Sequence, residues 1–75
     1  MQTPFDLPTA IERAGGDTAV GAKLGKSSFT VARWRRGEAV PPTDEQQPLS
    51  VVLEVSLATL ATWCAVKAAE LRAAP

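Results

Sequence analysis

The chain has no histidine and a single cysteine, Cys64, among its 75 residues. One thiol excludes an intrachain disulfide, and without imidazole the remaining metal ligands are scattered carboxylates, so no metal site and no cofactor is expected. Ser27 and Ser28 have no neighbouring base, and the acids are dispersed. Nucleophilic and acid/base catalysis therefore lack their parts, and neither an enzyme nor a small-molecule substrate is expected. The opening "MQTPFDLPTAIERAGG" has Pro4, Asp6 and Pro8 where a secretory signal needs an apolar core, which makes a cytoplasmic address the expectation. Hairpin dipeptides between alternating apolar and polar residues are missing too, and valine and threonine are scattered through alanine-rich segments. The fold class this predicts is all-α.

What is present suits one small domain. A chain of this length buries only about 60% of the surface its unfolded form exposes, so pairing with a second copy is the expected source of extra stability. Net charge is zero, yet charge is unevenly placed. Residues 1–42 hold six basic and four acidic side chains, whereas 43–75 hold two and four. Between 23 and 36 there are five basic residues and no acid. That segment predicts one strongly positive surface on a neutral molecule.

Three short helices are predicted in the first half. "DLPTAIERA" has Asp6 as cap, Pro8 in the first turn, and Leu7, Ala10, Ile11 and Ala14 on one side. After Gly15 and Gly16, Asp17 or Thr18 starts a second helix with Val20 and Leu24 on one face, which Gly25 stops. Ser27 caps a third, "SFTVARWRR", whose Val31 and Trp34 point inward at i and i+3 until Gly37. Residues 38–48 read as a proline-rich connector with room for one helical turn at 43–47. From Leu49 to Ala73 neither glycine nor proline occurs, so one long helix of up to about 37 Å is predicted.

Two short helices joined by a glycine-containing turn form a helix-turn-helix, whose second helix enters the DNA major groove. Gly21 is expected at the closest approach of the two helices and Gly25 in the turn. The stretch "IERAGGDTAVGAKLGKSSFTVARWRRGEAVPP" resembles the Cro-like and YdaS-like repressors of phages and prophages, over a little under half the chain. The resemblance implies a small lambda-repressor-like domain in which Ser28, Phe29, Ala32 and Arg33 read base edges. It implies phosphate contacts for Lys23, Lys26, Ser27, Arg35 and Arg36. Three positions depart from the family pattern. Asp17 stands where glutamine is usual, Lys26 replaces an apolar residue after the turn, and Gly21 replaces alanine.

The C-terminal segment has one charge, Glu54, between Leu49 and Val66. Serines and threonines dilute it, and a carboxylate in mid-span costs about 2.5–3.5 kcal/mol, so a membrane span is not expected. Leu53, Leu57, Leu60, Cys64, Lys67 and Leu71 recur at spacings of four and three, the pattern of a helix pressed on another helix. Other faces carry Val51, Val52, Val55, Trp63 and Val66, so cover is needed on more than one side. The expectation is a DNA-binding region at 1–42 and a connector plus dimerisation helix at 43–75, with Leu53, Leu57, Leu60, Trp63, Cys64 and Leu71 at the subunit contact. The function this predicts is a homodimeric repressor on a pseudo-palindromic operator in double-stranded DNA. The alternative is a protein-binding module that grips a partner with the apolar C-terminal helix.

Overall fold

A computed structural model describes residues 4–73, and among them every regular element is helical. The order is α1 (Leu7–Arg13), α2 (Asp17–Leu24), α3 (Ser28–Arg35), α4 (Thr43–Leu53) and α5 (Leu57–Ala73). None of these helices is long and apolar enough to cross a membrane.

Helices α1 and α3 start where side chains can satisfy their free amides. The Asp6 carboxylate accepts from the Thr9 backbone N–H at 3.0 Å and from the Thr9 hydroxyl at 2.6 Å. Ser27 Oγ accepts from the Thr30 N–H at 3.2 Å. Such caps are each worth about 1 kcal/mol. Gly16 precedes α2 without a side-chain cap, which leaves Asp17 as the acid in its first turn, where the helix dipole favours negative charge. Gly25 closes α2 in the left-handed conformation at φ +70°.

The core draws on all five helices: Leu7 and Ile11 from α1, Val20 from α2, Val31 and Trp34 from α3, Leu49 from α4, Leu60 and Cys64 from α5. Each fully buried aliphatic side chain contributes about 1.5–3 kcal/mol. Burial also pushes the Cys64 thiol above its ordinary pKa, which keeps it neutral. Helices α2 and α3 are the most extensively packed pair. Gly21 meets the turn between them and not α3 itself: a Cβ placed on it would lie 2.7 Å from the Lys26 carbonyl oxygen.

The second half differs from the long helix expected over 49–73. α4 already begins at Thr43, inside the supposed connector, and contains Pro48. Proline there deletes one helical hydrogen bond, but Leu49 just beyond it is wholly buried and Ser50 Oγ donates to the Gln47 carbonyl at 2.7 Å. The chain then leaves the helix at Glu54, which adopts φ +57°, ψ +42°. The Val55 N–H bonds back to the Ser50 carbonyl at 3.0 Å, and Ser56 Oγ accepts from the Thr59 N–H at 3.1 Å to open α5. A segment apolar around its circumference has thus been split so that its halves cover each other. At the N-terminal side, the Phe5 ring meets Trp63 of α5 edge-on at 6.1 Å.

Two substitutions test this architecture. Glu54→Gly should raise stability by about 1 kcal/mol, because a left-handed conformation is costly for an L-residue and free for glycine. A continuous helix would instead lose about 1 kcal/mol, so urea denaturation separates the two by sign. Gly21→Ala gains helix propensity but drives a methyl group into a backbone carbonyl. A net loss of about 1–3 kcal/mol is expected from the same measurement.

Candidate nucleic-acid interface

Helix α3 is held from behind. Val31 and Trp34, at 0% and 3% exposure, fix one side of it in the core. The opposite side therefore faces solvent, and it carries Ser28, Phe29 and Arg33, all exposed, with Ala32 half-buried between them. Phe29 leaves 67% of its surface open, although no local packing requires it there. The four residues predicted to read bases thus share the outward half of one helix. Ser27 is differently placed: its hydroxyl caps α3 and also lies 3.1 Å from the Thr30 hydroxyl. Its oxygen is committed to the helix start.

Charge in space differs from charge along the chain. The segment 23–36 is free of acids, but carboxylates from three other positions reach its cations. Lys26 Nζ lies 2.7 Å from Glu45 of α4, Arg36 Nε lies 3.0 Å from Glu38, and Arg35 Nε lies 2.9 and 3.1 Å from the two oxygens of Asp17. The Lys26 ammonium is stabilised by its hydrogen bond and attraction to Glu45, and the Arg35 guanidinium likewise by Asp17, so both are held further in their charged forms. Lys23 and Arg33 make no ion pair with any described residue. The strongly positive surface expected from the sequence is corrected accordingly. Glu45 lies nineteen positions from Lys26, inside the expected connector, so the sequence carries no local signal of this pair.

The predicted subunit-contact residues divide in the same way. Leu60 and Cys64 lie in the chain's own core at 0% and 2% exposure, so the fold itself covers them. Leu53 and Trp63 are half-buried, and Leu57 and Leu71 are exposed at 44% and 41%. The break at Glu54 removes only Leu53 from the 4-3 stripe; Leu57, Leu60, Cys64, Lys67 and Leu71 share one face of α5, and the middle of that face, Leu60 and Cys64, is turned into the chain's own core. Residues outside that spacing make the free apolar face. Phe5, Ala58, Thr59, Thr62, Trp63 and Val66 line a shallow groove of about 490 Å³. Lys67 borders it with its ammonium 5.6 Å from the Trp63 ring centre.

Compared with known proteins, the chain matches no family model, no curated protein and no solved structure.

The two faces of α5 should respond differently to truncation. Leu60→Ala opens a core cavity and is expected to lower unfolding free energy by about 2–5 kcal/mol. Val66→Ala, at 53% exposure, should stay within about 0.5 kcal/mol in the same urea titration at low protein concentration.

Proposed function

We propose that this protein is a sequence-specific regulator of transcription that binds double-stranded DNA through α3. It acts as a homodimeric repressor of the Cro-like type. The observation that carries the reading is the outward face of α3: serine, phenylalanine and arginine in the open, on a helix anchored by Val31 and Trp34 and joined to α2 by a three-residue turn. An eight-residue helix is about 12 Å long, and a major groove about 12 Å wide admits it.

Roles follow from the side-chain chemistry. Arg33 bonds guanine O6 and N7 in bidentate fashion, an interaction worth about 1–3 kcal/mol of discrimination. Phe29 offers a ring to a thymine methyl and Ser28 a hydroxyl to a base edge or phosphate. Lys23, which no described carboxylate neutralises, binds phosphate. A single reading helix covers few base pairs. Two copies related by a twofold axis set their reading helices about 34 Å apart on successive turns of the duplex. The groove beside Trp63 and Val66 is the surface proposed for the second copy. Repression follows from excluding polymerase from an occupied operator.

The same groove supports a second reading, in which a different protein docks on α5 and DNA binding is secondary. A chain that sediments as a dimer by itself favours the first reading.

The direct experiment recovers preferred sites from a random DNA pool and then compares Arg33→Ala with Lys23→Ala. Arg33→Ala should lose about 1–3 kcal/mol on the preferred site and little on others, whereas Lys23→Ala should weaken all sequences alike and reduce the salt slope by about 1. Equal losses on every duplex for both variants would refute the assignment of roles.

A further inference from the structure

Three of the five cations between Lys23 and Arg36 are held by carboxylates, and the three pairs are not equivalent. Arg36 and Glu38 are close in sequence and both exposed, with 45% and 53% of their side chains open. Glu38 can turn away from a competing anion. Asp17 and Glu45 arrive from other elements and are recessed: their side chains are 20% and 16% exposed, against 35% for Arg35 and 41% for Lys26. Asp17 is the first residue of α2 and Glu45 lies in the first turn of α4. Each is held by its helix beneath the cation it binds. A phosphate that draws Lys26 or Arg35 outward leaves a fixed carboxylate facing it. Asp44, beside Glu45, adds a further negative charge to that edge.

We propose that Asp17 and Glu45 are internal counter-anions that hold Arg35 and Lys26 back from a polyanion, keeping affinity for arbitrary DNA low and leaving selection to the base contacts of α3. The inference rests on the DNA-binding reading and identifies the residues that set its specificity ratio. Affinity for arbitrary sequence comes almost wholly from phosphate neutralisation with release of counterions. A carboxylate that keeps a cation from neutralising phosphate removes that contribution on every sequence. Contacts to base edges are untouched, so the ratio of specific to arbitrary binding rises.

The test uses the full chain and a labelled random-sequence duplex, with affinity read by fluorescence anisotropy across a salt series. Asp17→Asn, Glu45→Gln and the double variant are compared with the parent, after melting curves establish that each is folded. Each neutralisation should strengthen binding at low salt. It should steepen the slope of log affinity against log salt by about 0.9, an extra loss of about 3.5-fold between 50 and 200 mM. Glu70→Gln, which removes an acid paired with Lys67 on α5, should leave that slope unchanged. Should Asp17→Asn fail to fold, Glu45→Gln decides alone, since its amide preserves the side chain's shape at a helix start.

The idea is overturned if the parent binds and the folded variants reproduce its affinity and slope. It is overturned equally if Glu70→Gln matches their effect, which would make overall charge the cause. If the parent and all variants fail to bind any duplex at low salt, the DNA-binding reading falls and this inference with it. Binding gained by the variants where the parent shows none supports both.

Discussion

The contact between Gly21 and the Lys26 carbonyl sets the geometry on which the rest depends. Because nothing larger than a hydrogen atom fits at Gly21, the turn folds tightly against the back of α2. The Lys26 N–H also bonds to the Gly21 carbonyl at 2.8 Å, so the same two residues are joined twice. With the turn fixed there, α3 starts at Ser28 in one orientation, and Val31 and Trp34 enter the core. Everything outward on α3 is a consequence of that inward pair.

The same arrangement links Gly21, Lys26 and Asp17. Gly21 makes the close approach; Lys26 is tied to α4 through Glu45; Asp17 is tied to the end of α3 through Arg35. Position 26 therefore supplies a polar tether where an apolar contact was the expectation. Ion pairs whose cations stay open to solvent, as these do, add little to stability, because solvent screens them and holding two long side chains costs entropy. The consequence of these two pairs is accordingly for the molecule's electrostatic field more than for its fold.

The first half of the molecule was legible because its signals are local. A cap, two apolar residues three or four apart, and a glycine each act over a single turn, and Asp6, Ser27, Val31, Trp34 and Gly25 all occupy the places their chemistry suggests. The exposure of Ser28, Phe29 and Arg33 was an implication of the resemblance and not of the spacing, and all three are exposed. The break at Glu54 gave no such sign. Glutamate is a good helix former, and it takes a left-handed conformation only because α4 and α5 must cover each other. Pro48 misled in the opposite sense, as its missing hydrogen bond is outweighed by the burial of Leu49. The charge balance around α3 was illegible for a related reason: Asp17 and Glu45 meet their partners only after the helices pack.

The turn at Glu54 also determines which apolar surface of α5 stays open to solvent. An unbroken helix over 49–73 could not lay its first half against its second, as α4 and α5 do. Folding back puts Leu60 and Cys64 in the core and turns Ala58, Thr62 and Val66 outward. That face has no charge and mostly short side chains, so another helix can approach it closely without desolvating an ion. Lys67 and Glu70 pair with each other at its edge, at 3.3 Å, so even the border holds its charge internally. That face is apolar and shallow, whereas the outward face of α3 presents a hydroxyl, an aromatic ring and the Arg33 guanidinium, which pairs with no described carboxylate. The fold thus places two chemically different exposed faces on different helices, so that a change in one face need not disturb the other.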